Sequence, residues 1–416
     1  MSTFAATAEA VRRFTGPRRV GIVGIGLGLF GAWLALPPVN SRTVAWPAVF
    51  AVIAMGAGLW AALRGERKLG WGAVAAGAFA IAIAVIAERS STGHLSGAIN
   101  WGTLVSQTFI FATPLTFVAL GGMFAERSGV VNIGLEGMML MGAFFGILGG
   151  IELASWPLGL LVAMASGGAL ALIYAVFAIH LRADQIVGGT AIIFLAYGIT
   201  GYFYIRVYGE NGTPISQFNI PDFNWLGDHV LSHIPPGNFW EVAFGHLNLM
   251  VWVSLALLVA CHVLMFRTSL GMRIRAVGEH PRAADTVGIS VYATRYVCVV
   301  VSGILAAAGG AYLVSFAGGF QEQMTDGRGF VALAALIFGN WRPFGAFGAT
   351  MLFGFSSALV YQLQGTYTSN VALPTSGSAA LLLLFALPYV VTLVAVAGVI
   401  GRSIPPAASG RPYIKQ

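Results

Sequence analysis

Charge is scarce in this sequence. Only 9% of its 416 residues are Asp, Glu, Lys or Arg, against about 25% in an ordinary soluble domain. With 57% hydrophobic residues and a mean hydropathy of +0.81, there is too little polar surface to cover a water-soluble fold, so a soluble enzyme is excluded. Lysine is nearly missing: Lys68 and Lys415 are the only two. Neither stands in the G-x-x-x-x-G-K-[ST] pattern of a phosphate-binding loop, so any ATP the protein uses is bound by another chain. Cysteine is equally rare. Cys261 and Cys298 fall in apolar stretches, which excludes a disulfide framework and a zinc pattern and leaves two small core residues. His229, His233 and His246 share one polar stretch but have no zinc spacing, so no metal is expected. The apolar runs contain no paired carboxylates, no Ser/His/Asp set and no His/Glu cluster. That counts against a membrane-embedded enzyme. A secondary transporter driven by an ion gradient would want several ionisable groups in its spans, and beyond Glu136 there are almost none.

What is present is a series of long apolar runs, each near the roughly 20 residues that cross a bilayer. They read as about 20–36, 45–63, 70–87, 102–123, 130–150, 156–179, 186–206, 247–266, 293–317, 343–363 and 378–400. Pro37 and Pro38 follow the first run where a signal peptide would have small residues for cleavage, so this run reads as a retained helix. The net charge of +7 is dispersed in short patches between apolar runs. This fits the anionic face of a membrane better than nucleic acid. With the N-terminus inside, the pieces 1–19, 64–69, 124–129, 180–184, 267–295, 340–342 and 401–416 carry 18 of the 22 Lys and Arg. Arg42, Arg89, Arg206 and Arg328 fall on the other side. The positive-inside rule therefore supports cytoplasmic termini. The expectation is an all-α polytopic membrane protein with about 11 transmembrane helices.

A shorter apolar piece, Gly329 to Gly339, completes the parity. Eleven helical residues rise about 16 Å, half a bilayer. We expect a half-helix entering from outside, a break at Asn340-Trp341-Arg342-Pro343, and a return helix. Such breaks survive only where protein or a watery cavity surrounds them, and they mark substrate sites in many transporters. The external loop from about 207 to 246 carries Glu210, Asp222, Asp228 and Glu241 without Lys or Arg, a landing surface for an extracytoplasmic partner.

The loop 267–295 reads RTSLGMRIRAVGEHPRAADTVGISVYATR. Pro281 suits a first helical turn, Arg282 to Val287 can continue it, and Gly288 suits the C-terminal cap. A short helix across the cytoplasmic face is expected, with Ala283 and Ala284 giving a low-profile surface. An interfacial helix would want bulky apolar anchors instead.

This segment resembles the coupling loop of ABC importer permeases. Two further stretches carry the resemblance in the expected order: LGGMFAERSGVVNIGLEGMMLMGAF from Leu120 to Phe144, and DGRGFVALAALIFGNWRPFGAFG from Asp326 to Gly348. Together they look like the permease superfamily for ribose, branched-chain amino acids and nucleosides, and the wording of E-H-P-x-A-A-D-T-x-G-I is closest to its nucleoside branch. The likeness covers about residues 102–400. It implies a pore-forming subunit in a bacterial plasma membrane, not itself an enzyme. Its partners would be an ATPase with two nucleotide-binding halves, which holds ATP and Mg, a second homologous permease, and a lipid-anchored substrate-binding protein. Residues 278–291 would transmit the ATPase motion, with Gly278, Glu279, His280, Pro281, Ala283, Ala284, Asp285 and Gly288 as the coupling set. A permease for a simple sugar or a branched-chain amino acid is the neighbouring alternative. The division would be an extension with three extra helices over 1–97, the permease domain over 98–402 and a cytoplasmic tail over 403–416.

Several polar residues are candidates for the path or its gate. Glu136 is an ionisable residue placed inside a span, a functional position by default; the structural alternative pairs it with Arg127 or with backbone N–H groups. Asn132, four residues earlier, would share its helix face. Gln107 and Thr108 lie near Pro114, which would loosen their helix. Gln185 and Thr190 open another helix, and Asn340 sits at the proposed break. Gln321, Glu322, Asp326 and Arg328 would form the outer mouth, where Phe109, Phe111, Phe316, Phe320 and Phe330 could stack a nucleobase.

Overall fold

The computed structural model describes residues 16–35, 45–89, 100–209, 213, 218–231, 233, 238–370 and 403–415. Lipid offers the backbone no hydrogen bonds, so apolar segments close their own as helices. In chain order the helices are α1 (Pro17–Ala35), α2 (Ala45–Leu63), α3 (Arg67–Arg89), α4 (Trp101–Arg127), α5 (Leu135–Glu152), α6 (Trp156–Ala175), α7 (Gln185–Tyr208), α8 (Phe239–Phe244), α9 (Leu249–Arg267), α10 (Ser269–Glu279), α11 (Pro281–Thr286), α12 (Val291–Ala317), α13 (Arg328–Phe338) and α14 (Pro343–Asn370). Nine helices among the described residues are long and apolar enough to cross a membrane. Ten of the eleven expected spans fall on helices; the first of them is α1, which is not one of the nine. The last expected span, 378–400, lies outside the described residues.

The chain divides into two compact units, residues 1–105 with 355–402, and residues 106–354 with 403–416. In the first, α1, α2 and α3 pack against one another. Their contacts are made by small side chains, with Ala51, Ala54, Ala61, Ala73, Ala76 and Ala80 all fully buried. This is how helices approach closely in lipid. Large apolar residues such as Ile22, Val52, Trp46 and Trp71 face outward, as a lipid-facing surface does.

In the second unit α12 packs along α5 and α6, while α5 also meets α7 and α13. Buried Leu120, Met123, Leu135, Met138 and Leu336 share its core. Pro114 lies inside a continuous α4.

Four of the seven pieces assigned to the cytoplasmic side meet at one end of this unit. Arg127 donates to the carbonyls of Trp341 and Asn340. Ala408 donates to Gly278 and Gly410 to Gly129. Arg295 donates to the carbonyls of Ser128 and Arg411. External pieces meet elsewhere: Ile220 N–H donates to Ser315 Oγ at 2.9 Å and Phe320 N–H to Thr213 Oγ1 at 2.8 Å.

Two expectations about local structure change. The span expected at 130–150 becomes helical only at Leu135, and residues 128–134 are irregular yet buried or half-buried. Their backbone is satisfied from elsewhere: Val131 N–H donates to Gln185 Oε1 at 2.8 Å, and the Tyr174 hydroxyl donates to Val131 O. Asn132 therefore precedes the helix and does not share a helix face with Glu136. The loop 267–295 also holds an additional helix, α10, capped by Thr268, whose Oγ1 accepts Gly271 N–H at 3.2 Å.

Candidate functional site

The expected half-helix is α13, eleven residues long. Gly327 caps it in the left-handed region, φ +76°. Its first N–H groups point at Glu136, a fully buried residue in the first turn of α5. Gly327 N–H donates to Glu136 Oε1 at 2.9 Å and Gly329 N–H to Oε2 at 2.5 Å. One carboxylate thus sits at two helix N-termini, where the helix dipoles favour negative charge. Gly329 is required by this approach, because a Cβ there would lie 2.6 Å from the Glu136 Cα.

The other end of α13 is fixed as firmly. Asn340 and Trp341 both have φ +54° and turn the chain into α14 at Pro343. Their carbonyls accept from Arg127, at 3.3 and 2.9 Å. The Trp341 indole N–H donates to the buried Glu126 carboxylate. Eleven residues span about 16 Å, so Glu136 lies about half a bilayer from the basic end marked by Arg127. The irregular segment 128–134 covers that climb in place of a helix.

In front of the α13 N-terminus lies a cavity of about 620 Å³, within the roughly 300–1,000 Å³ of small-molecule sites. One wall is aromatic, from Phe111, Tyr197 and Phe316; Phe111 and Phe316 meet edge to face at 5.5 Å. The lining also carries polar residues, Gln321, Glu322, Gln323, Asp326 and Arg328. The Arg328 guanidinium folds back onto Met324 O at 2.9 Å. All four outer-mouth residues expected from the sequence line this cavity. Tyr197 and Gln323 were not anticipated. Tyr197 looks like one more apolar-face aromatic in α7, and only the fold brings it here.

The other candidates scatter. Glu136 stands behind the cavity floor. Asn132 donates to Ser302 Oγ at 2.8 Å on α12. Gln185 is buried against Val131, with Asp184 capping α7 through the N–H groups of Ile186 and Val187. Thr190 is exposed and bonded to Ile186 O. Phe330 is exposed on α13. Gln107 is half-buried and Thr108 buried, both on α4 outside the cavity lining. Phe109 pairs with Phe244 and Phe320 with Phe144. Asn340 Oδ1 accepts from Ile404 N–H at 3.0 Å.

The expected cytoplasmic helix is α11, ended by Val287 and by Gly288 at φ +85°. Glu279, His280 and Ala283 are exposed and Pro281 is half-exposed. Ala284 is turned inward, buried with Val277, Val291 and Tyr413, so only one of the two alanines faces outward. Gly278 packs on the end of α4: a Cβ there would lie 2.1 Å from Arg127 O. Asp285 lies beside Tyr413, and burial followed by this carboxylate pushes the Tyr413 phenol above its usual value. No group of three or more His, Cys, Asp or Glu residues able to hold a metal ion occurs among the described residues.

Comparison with known proteins gives the same picture. The family described as branched-chain amino acid transport system / permease component matches residues 104–392. The guanosine ABC transporter permease protein NupQ of Bacillus subtilis is 42% identical over 325 residues, covering 75% of this chain and 96% of that protein. The nucleoside ABC transporter permease protein NupC of Lactococcus lactis is 36% identical over 321 residues, with the same two shares. A putative glucose ABC transporter permease protein, TsgC13 of Haloferax volcanii, is 34% identical over 262 residues, 63% of this chain and 78% of its own length. No solved structure gives a significant match. By the span of the family match and by the identity to full-length relatives, the chain belongs to the branched-chain amino acid transport system permease family.

Proposed function

We propose that this chain is the membrane-spanning permease subunit of an ABC importer for nucleosides, in a bacterial plasma membrane with both termini cytoplasmic. The observation that carries the substrate reading is the cavity before α13, lined by both aromatic and polar side chains. A nucleoside has a flat base and a hydroxylated sugar. Phe111, Tyr197 and Phe316 offer faces and edges to the base, and Gln321, Gln323 and Asp326 offer hydrogen bonds to the sugar. The two relatives matched over 96% of their length are named for guanosine and nucleosides, and this supports the same class.

Transport needs two states of one path. The half-helix α13 starts at the cavity, where Gly327 and Arg328 line it, and ends at the break beside Arg127. Tilting α13 between Glu136 and Trp341 would close the cavity on one side and open it on the other. The driving motion comes from an ATPase subunit bound at α11, with a second permease completing the path and a substrate-binding protein loading it from outside.

The test is uptake of labelled guanosine and uridine by cells lacking this chain, with and without its restoration. Uptake lost and then restored supports the reading. Unchanged nucleoside uptake with lost glucose uptake would replace it by the sugar reading.

A further inference from the structure

Residues 403–415 look from sequence like a loose polar tail. In the structure they run along one end of the second unit and touch the α13–α14 break, the α10–α11 junction, the start of the irregular segment and the start of α12. At their start, Ile404 N–H donates to Asn340 Oδ1, at the break between α13 and α14, at 3.0 Å. Next, Ala407 N–H reaches Glu279 Oε2 at 3.2 Å and Ala408 N–H reaches Gly278 O at 2.9 Å, both where α10 gives way to α11. Gly410 N–H then donates to Gly129 O, at the start of the irregular climb towards Glu136. Arg411 O accepts from the buried Arg295 at 3.1 Å. Finally Tyr413 is buried under α11 against Ala284, and its ring meets Tyr292 at 5.6 Å.

We propose that residues 403–415 are a transmission strap, which carries displacement of the ATPase-docking helix α11 to the break of the half-helix, with Tyr413 and Ile404 as its positioning residues at the two ends. The inference rests on reading α11 as the ATPase-docking helix. Its physical basis is that α11 is only six residues long and that this segment bonds both the residues that lead into α11 and Asn340 at the break, beside the direct contact of Gly278 with Arg127. Tyr413 is wedged between α11 and the start of α12, so a push on α11 moves Tyr413. The intervening bonds to Gly278 and Gly129 hold the strap on its track. Pro405, Pro406 and Pro412 stiffen it, so a pull at one end is not absorbed by slack.

The test separates the strap from the substrate. The assembled importer is followed by hydrogen exchange at residues 339–342, without nucleotide and with ATP trapped by vanadate. Ile404→Pro removes the N–H that reaches Asn340 at a site already biased to extended backbone by Pro405. Ile404→Ala keeps that N–H and is the control. Tyr413→Ala empties the wedge at the other end. In the wild type, ATP is expected to change exchange at 339–342 by about five-fold or more. Ile404→Pro and Tyr413→Ala should each abolish that response, and Ile404→Ala should keep it. The double variant should be no worse than the single ones, because both cut the same connection. Retention of the response in both single variants, or its absence in the wild type, overturns the strap. A strap response that is intact in an importer unable to take up guanosine or uridine supports the strap and removes only the substrate reading.

Discussion

The Glu136 carboxylate and the Gly329 N–H are 2.5 Å apart, and through that bond the eleven-residue helix α13 is fastened to the eighteen-residue α5. The placement gives the buried carboxylate a role in holding the cavity floor. Glu136→Ala would leave the Gly329 N–H buried and unpaired, at about 1–3 kcal/mol, and would remove the acceptor of the half-buried Gly327 N–H as well. The melting temperature of the purified complex should fall by several degrees. Glu136→Gln keeps one acceptor oxygen and should fall less. Equal melting temperatures for wild type and Glu136→Ala would contradict the anchoring role.

Gly329→Ala should be at least as damaging. The new Cβ would meet backbone of α5 at 2.6 Å, and overpacking of this kind typically costs about 1–3 kcal/mol. The expected result is a loss of folded protein in the membrane. An alanine variant with normal yield and uptake would mean that α5 and α13 part easily.

The aromatic wall makes its own prediction. Stacking on a base is worth about 1–3 kcal/mol per ring, roughly 5- to 150-fold in a binding or rate constant at 1.4 kcal/mol per decade. Phe316→Ala and Tyr197→Ala should each reduce nucleoside uptake at low concentration by at least the lower figure, with protein levels unchanged. Unaltered uptake in both would move the substrate path elsewhere.

The two alanines of α11, the proposed docking helix, should part company. Ala283 is exposed and Ala284 is buried. Ala283→Arg is expected to abolish ATP-driven uptake while leaving the melting temperature of the chain near wild type. Ala284→Arg puts a charge among Val277, Val291 and Tyr413 and should lower that temperature as well. Full uptake with Ala283→Arg would exclude α11 as a docking surface.

The half-helix was legible because glycines and Pro343 punctuate a run too short to span. The helix at 281–286 was legible because Pro281 and Gly288 bracket it. The start of α5 was not. Val-Val-Asn-Ile-Gly reads as a mostly apolar lead into Leu135, and the groups that satisfy its non-helical backbone, Gln185 and Tyr174, are 54 and 43 residues away from Val131. The tail was illegible for another reason. It is held mainly through its own N–H groups, at Ile404, Ala407, Ala408 and Gly410, and backbone donors leave no signature in side-chain identity. Tyr197 joined the cavity only through the packing of α7.

Helix α12 runs unbroken for 27 residues, about 40 Å. At its outer end Ser315 holds Ile220 of the external loop, and at its inner end Arg295 holds Arg411. Thermodynamic linkage then works in both directions along one rod. On the proposed coupling, any ligand that binds at one end and shifts α12 changes the affinity of a ligand at the other end, and the second changes the affinity of the first by the same factor. A substrate-binding protein of the kind proposed, held at the Ile220 end, would by the same reciprocity tune nucleotide affinity at the Arg295 end.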